Sequence, residues 1–362
     1  MKINVAIMDK ASFSRLLSFF AAFFLFIASC DSGGGGSTIP IDLGEVKAEF
    51  LADIAYGSDP LQKFDIFMPE SETPTALVIH IHGGAFYTGD KDSEYNLDDI
   101  SDTIRGLLEQ GIAVANINYR LLNPFVGDDV GAMKSIGDGQ YCLQYIRHNA
   151  VEYNIDKERI SLMGISAGAG ISLWVGLQDE MAEGGSEDLV LRESTRVSAI
   201  AAIETQATYD LVQWDDIFSD FSITLQGFVS EPGNIAMYYL VCAFYAMEVS
   251  DPENLNAQLA LQAVVDYRAD LDMLALMDSS DPELFLSNRM IPAEPASIGI
   301  NEIFHHPLHA KTLMDKANEA GIEIPNETYL SMSATGAMDE LGDGLLDDAL
   351  VDFMDGILNP QP

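Results

Sequence analysis

Residues 159–168 read Arg159-Ile160-Ser161-Leu162-Met163-Gly164-Ile165-Ser166-Ala167-Gly168, a strand-like apolar run followed by a Gly-x-Ser-x-Gly pentapeptide. An Ala/Gly-rich stretch compatible with a helix comes next. A strand must therefore turn sharply into a helix at Ser166, and a side chain beside the serine would clash in that turn, which is why glycine stands on both sides. This is the sequence form of a nucleophile elbow, with Ser166 standing exposed above a sheet. With 29 glycines in 362 residues the pentapeptide alone is a weak signal, and its surroundings have to carry the reading.

On either side of this stretch the chain alternates between strand and helix patterns. Val46 to Glu70 holds two strand-like stretches, with period-two alternation at Phe64, Ile66 and Met68, and these predict an antiparallel edge. Ala76 to Ile81 reads as a buried strand ending in His82-Gly83-Gly84-Ala85-Phe86. A helix from Leu97 to Glu109, a strand from Ile112 to Tyr119 and a helix from Ala132 to Tyr153 lead to the elbow strand. Further strands are expected near Val197 to Ile203, at Leu284 to Leu286 and at Thr328 to Met332, with a helix from His309 to Ala320. A last helix carries Leu346, Leu350, Phe353, Met354 and Ile357 on one face. Such alternation implies an α/β fold with a mostly parallel sheet covered by helices on both faces. No internal repeat is evident.

Residues 204–281 break the rhythm and read as a helical cap insertion over the active edge of the sheet. The stretch is rich in aromatics and methionine, among them Trp214, Phe218, Phe221, Tyr238, Tyr239, Phe244, Tyr245 and Met247. Its apolar centre, Ile235 to Met247, is 13 residues long, too short for a membrane span. The aromatics fit either the insertion's own core or contacts to a substrate.

Acidic residues outnumber basic ones 57 to 18, a net charge of -39 that repels nucleic acid and anionic lipid alike, so no nucleic-acid partner is expected. The acidity reads as a solvated surface, and Asp339 to Asp348 lacks the ligand spacing of a calcium loop. At the amino terminus, Leu16 to Ser29 is a 14-residue apolar run behind Lys10 and Arg15, the pattern of a signal-peptide core. Met8 offers an alternative start. The run ends in Ile27-Ala28-Ser29-Cys30, which resembles a bacterial lipobox. A Gly/Ser-rich tether, residues 30–44, follows, and the folded domain is expected over 45–362. A lipid-anchored cell-envelope protein with Cys30 as the lipidation site is thus expected, and an ordinary secretory peptide with a chance cysteine is the other reading. Cys142 and Cys242 sit in apolar segments and read as buried free thiols rather than a disulfide. Neither metal-ligand spacing nor a cofactor motif is present, so no metal and no cofactor are expected.

Acyl transfer by serine needs an activated nucleophile, an oriented base and backbone N–H donors aimed at the developing oxyanion. Ser166 is the nucleophile candidate. Oxyanion donors are expected from Ala167, at the start of a helix, and from the loop Gly83-Gly84-Ala85, where small residues let the backbone approach a ligand.

These motifs together resemble a bacterial α/β-hydrolase of the carboxylesterase and hormone-sensitive-lipase-like group, with its carbohydrate and feruloyl esterase relatives. The resemblance rests on Tyr56-Gly57, Phe64 to Pro69, His82 to Phe86 with Gly89-Asp90-Lys91, Asn118 to Leu121, Asp138, Tyr153 to Asp156 with Arg159, and Gly164 to Gly168. It covers residues 46 to 180 well and the remainder in patches. It implies a serine ester hydrolase fold acting on a small-molecule or carbohydrate ester. Ala85 replaces the third glycine of the family's usual His-Gly-Gly-Gly, while keeping its N–H.

The base is where the chain departs from that pattern. The family's histidine follows the last strand, here near Ala334 to Gly342, yet no histidine occurs beyond His309. His80 lies on a buried strand, His82 in the oxyanion loop and His148 on a helix. The cluster His305-His306-Pro307-Leu308-His309 follows Asn301-Glu302, in the region where relatives place the triad acid. His305 or His306 is therefore the base candidate, with Glu302 as acid and Asp210 as a second acid candidate. The competing reading is a helix N-terminus carrying structural histidines. Two functions follow: an extracytoplasmic, lipid-anchored serine ester hydrolase with an atypical triad, or a non-catalytic binding lipoprotein of the same fold.

Overall fold

The computed structural model describes residues 38–124, 128, 130–231, 233–288, 300–322, 324, 329–330 and 343–360. Among the described residues, eight strands form one sheet: β1 Ala48–Ala55, β2 Lys63–Pro69, β3 Thr75–Ile81, β4 Ala113–Ile117, β5 Ile155–Ile165, β6 Ala199–Ile203, β7 Glu283–Asn288 and β8 Tyr329–Leu330. Their order is β1-β2-β4-β3-β5-β6-β7-β8. The first strand runs antiparallel to β2 and β2 antiparallel to β4, which makes the expected antiparallel edge. From β4 to β8 all neighbours are parallel.

The helices are α1 Lys91–Glu94, α2 Asp98–Glu109, α3 Met133–His148, α4 Ala167–Leu177, α5 Trp214–Ile217, α6 Leu225–Ser230, α7 Ile235–Phe244, α8 Leu255–Leu259, α9 Gln262–Asp270, α10 Met273–Leu276, α11 Ile300–Phe304, α12 Pro307–Ala320 and α13 Asp343–Leu358. Pleating sends alternate residues of β3 to opposite faces. Leu77, Ile79 and Ile81 join the core beneath α3, α4, α12 and the insertion. Ala76 and Val78 face α2 and α13, where Ile104, Leu107, Leu350 and Met354 close the second core. At about 25 cal/mol per Å² of apolar surface, these two buried layers are the dominant stabilising term of the domain.

Two helix ends differ from expectation. α3 stops at His148 rather than Tyr153, because Asn149 caps it: the Asn149 side-chain amide donates to Tyr145 O at 2.8 Å. The following turn reaches Asn154 at φ 52°, whose carbonyl accepts from Thr75 N and so starts β3. α12 starts at Pro307, earlier than His309, because His306 acts as its N-cap and proline suits the first helical position. The insertion is a series of short helices rather than long ones. Trp214, Phe218 and Tyr238 are buried in it. No described helix is long and apolar enough to cross a membrane.

Candidate active site

Ser166 sits between β5 and α4 with φ 53° and ψ −115°, a backbone conformation costing on the order of 1–3 kcal/mol for a residue with a side chain. Sterics and pairing enforce it. A Cβ on Gly164 would lie 2.2 Å from the Gly168 backbone, and one on Gly168 would lie 1.9 Å from Ile81 O. Both glycines are therefore required by close approach. The Ser166 N–H is tied to Ile203 O at 2.9 Å, so the end of β6 holds the turn in place.

The oxyanion loop lies against this turn. A Cβ on Gly83 would sit 3.0 Å from Ile165 O and 3.3 Å from Ser166 Cβ, a tight fit that glycine relieves where the loop's backbone meets the elbow. Gly84, Ala85 and Phe86 all have positive φ, at 114°, 50° and 67°. The N–H groups of Gly83, Gly84 and Ala85 find no acceptor among the described residues. Ala167, as first residue of α4, has no intrahelical acceptor for its own N–H. His82 braces the loop: its Nδ1–H donates to Gly83 O at 2.6 Å, and its ring stacks on Tyr119 at 4.4 Å. The Tyr119 hydroxyl donates in turn to His82 O at 3.0 Å. Burial lowers the His82 pKa and keeps the ring neutral.

His305 Nε2 stands 2.8 Å from Ser166 Oγ. The hydroxyl donates when the ring carries its proton on Nδ1, which is the arrangement a general base requires. Burial pushes the His305 pKa down to about 4, so the imidazole is unprotonated at neutral pH. His306 is turned away: its Nδ1 accepts from Leu308 N at 3.2 Å, capping α12, and its ring packs between Phe218 and Phe221. His309 is fully buried, packs its ring against Trp214 and Phe218, and hydrogen-bonds to the main chain at Ala207 N and Ile303 O. Of the two histidines that the sequence leaves open, His305 alone meets the nucleophile.

The acid candidates are placed differently. Glu302 lies on α11 one turn before His305 and makes no hydrogen bond or ion pair with it among the described residues. Asp210 is engaged elsewhere, paired with Arg268 Nε at 2.7 Å and capping a turn at Val212. Asp138, one of the residues carrying the family resemblance, is buried, pairs with the part-exposed Arg120 and accepts from Gln62, an architectural role. The stretch 334–342, where the family's histidine is expected, and Cys30 lie outside the described residues. Cys142 and Cys242 are buried free thiols.

The insertion roofs the site. Ser166 opens into a cleft of about 400 Å³, part of it open to solvent, walled by Phe86, Tyr209, Trp214, Leu240, Phe244 and Phe304 together with other residues of α7. Apart from Ser166, Gln206 is the one non-aromatic polar side chain on its wall among the described residues. Sequence reasoning did not single out Gln206, Asn288 or Phe304. They belong to no motif, and only the folded contacts bring them to the site.

The strand order, elbow and oxyanion loop give the chain an α/β-hydrolase fold, and part of its length is similar in sequence to known esterases. Residues 64–228 match the BD-FAE family model, a span that includes the oxyanion loop and the elbow and ends before His305. A probable isoprenylcysteine alpha-carbonyl methylesterase of Arabidopsis thaliana is 30% identical over 166 residues, covering 46% of this chain and 32% of that protein. An arylesterase of Saccharolobus solfataricus is 32% identical over 106 residues, 29% of this chain and 31% of its own length. The matched stretch thus spans about a third of these relatives. Among solved structures, a truncated carbohydrate esterase from gut microbiota superimposes with a TM-score of 0.57 at 18% identity, over 87% of this chain and 99% of that one. Esterase B of Lactobacillus rhamnosis, inhibited by a tributyrin phosphonate, gives 0.54 at 16% identity, over 97% and 94%. These two likenesses are of fold.

Proposed function

We propose that the chain is a serine ester hydrolase in which His305, from the segment after β7, is the general base for Ser166. The observation that carries this is the 2.8 Å contact between Ser166 Oγ and His305 Nε2 beneath unsatisfied N–H donors. In the reaction, His305 Nε2 takes the Ser166 proton as Oγ attacks the ester carbonyl carbon. The carbonyl π electrons move to oxygen, where the N–H groups of Gly83, Gly84, Ala85 and Ala167 receive the oxyanion. Collapse breaks the C–O bond to the alcohol, which leaves with the proton held on His305. Water then attacks the acyl-enzyme with His305 again as base, releasing the acid and restoring Ser166.

The cleft's apolar wall supports an ester with a short apolar acyl group, and the alcohol, a sugar or another small molecule, faces the open mouth. Extracytoplasmic location through a lipid on Cys30 belongs to the same proposal and rests on the amino-terminal sequence alone. Release of a Cys30→Ala variant from membranes supports it, and retention there contradicts it.

Turnover of p-nitrophenyl acetate by wild type, Ser166→Ala and His305→Ala tests the reaction. The proposal expects turnover in wild type and near-background rates in both variants. A wild type no faster than Ser166→Ala leaves a hydrolase fold that binds a ligand without turning it over.

A further inference from the structure

His305 lies on a short connection between α11 and α12, a place where a side chain is ordinarily held loosely. Here the main chain around it is fastened at three successive points by side chains from other elements. Ile303 O accepts from His309 Nε2 at 3.0 Å. Phe304 O accepts from Gln206 Nε2 at 2.8 Å. His306 O accepts from Asn288 Nδ2 at 3.2 Å.

Each clamp is anchored in turn to the segment after β6, whose preceding residue Ile203 holds the Ser166 N–H. His309 Nδ1 accepts from Ala207 N at 3.2 Å, which leaves the proton of the neutral ring on Nε2, facing Ile303 O. Burial holds that ring neutral, with its pKa down at about 3. Asn288 Oδ1 accepts from Thr205 N, and its amide also donates to Thr205 O, both at 2.8 Å. All three clamping side chains are buried or line the cleft. Nucleophile and base are thus referenced to one piece of backbone, residues 203–207.

We infer that Gln206, Asn288 and His309 are positioning residues that set the distance and angle of His305 toward Ser166. This rests on the reading of His305 as base. The orientation of the imidazole is transmitted through main-chain carbonyls, and none of the three residues touches the reacting atoms. A displacement on the order of 1 Å between reacting groups costs about a hundredfold in rate, so loosening a single clamp is expected to lower kcat roughly ten- to hundredfold.

Gln206→Met keeps the volume and removes the donor, and its position on the cleft wall makes it the variant least disruptive to folding. His309→Gln can still accept from Ala207 N and donate to Ile303 O, whereas His309→Leu can do neither. With p-nitrophenyl acetate, the inference expects lower kcat at similar KM in Gln206→Met and His309→Leu, partial recovery in His309→Gln, and an unchanged thermal midpoint in Gln206→Met. The ¹⁵N resonance of His305 Nε2 is expected to move in Gln206→Met, reporting a lost Ser166 contact whether or not the protein turns over ester. An unchanged resonance together with unchanged kcat in Gln206→Met overturns the positioning role. Inactive wild type with a shifted resonance upholds positioning and overturns the reading of His305 as base. A shift in thermal midpoint with kcat and resonance intact marks a purely structural role and also overturns it.

Discussion

The two halves of the site are held by different physics. On the nucleophile side, the backbone is fixed by steric exclusion: Gly164 and Gly168 leave no room for a single extra carbon, and Ser166 is driven to φ 53° between β5 and α4. On the base side, His305 is fixed by side-chain hydrogen bonds to the carbonyls of Ile303, Phe304 and His306. Steric fixation is all or none, while hydrogen bonds can be weakened one at a time. The nucleophile side should therefore tolerate almost no substitution, and the base side should respond in graded steps.

The sharpest break is Gly168→Ala. Its new Cβ would fall 1.9 Å from Ile81 O, a main-chain atom of a central strand that cannot give way. Overpacking of this kind costs about 1–3 kcal/mol even in a relaxing core and more here. Both activity and thermal midpoint should drop, measured by ester turnover and by circular dichroism on heating. His305→Ala should leave the fold in place and lower kcat about 10²–10⁴-fold, the usual contribution of a positioned base. A thermal midpoint falling as far as in Gly168→Ala would erase the contrast between the two halves.

Next in size is the cleft. Leu240, on α7, lines the wall above Ser166, and Leu240→Trp should shorten the accepted acyl group. The ratio of kcat/KM for butyrate over acetate esters is expected to fall roughly tenfold, in line with about 1–3 kcal/mol per methylene in an apolar pocket. An unchanged ratio would place the acyl group elsewhere.

The smallest effects come with pH. Burial lowers the pKa of His305 to about 4 and of His309 to about 3, and lowers that of His306 as well. An unfolded histidine titrates near 6.5, so between that pH and about 4 the unfolded chain binds more protons and folding stability rises with pH. Glu94, raised to about 7 by burial, acts in the opposite direction from about 4.5 upward. Acidification from pH 6.5 to 4 should lower the thermal midpoint, and His305→Gln should flatten part of that slope. The same lowered pKa places the acid limb of kcat/KM near pH 4 rather than near 6.5. An acid limb at 6.5 would mean that the titrating base is not the buried His305.

How much of this was legible beforehand depends on the range of the forces involved. The elbow and the oxyanion loop are local backbone problems that glycine solves at fixed spacing, and the alternation of apolar strands and helices announces a parallel sheet. The insertion was legible as helical, but its division into short helices depends on caps and turns that leave weak traces. The choice between His305 and His306 was not legible. They are neighbours of identical chemistry, and only the start of α12 at Pro307 assigns one to a cap and the other to Ser166. Gln206 and Asn288 reach the carbonyls of Phe304 and His306, on either side of His305, from 98 and 18 residues away in sequence, through contacts that no local pattern records.

Activation of Ser166 by His305 is measurable as the rate at which p-nitrophenyl diethyl phosphate phosphorylates the protein, followed by intact mass and peptide mapping. A single adduct on Ser166 is expected, formed at a similar rate in wild type and His306→Ala and at least about 10²-fold more slowly in His305→Ala. An adduct on another residue, or equal rates in wild type and His305→Ala, would contradict it.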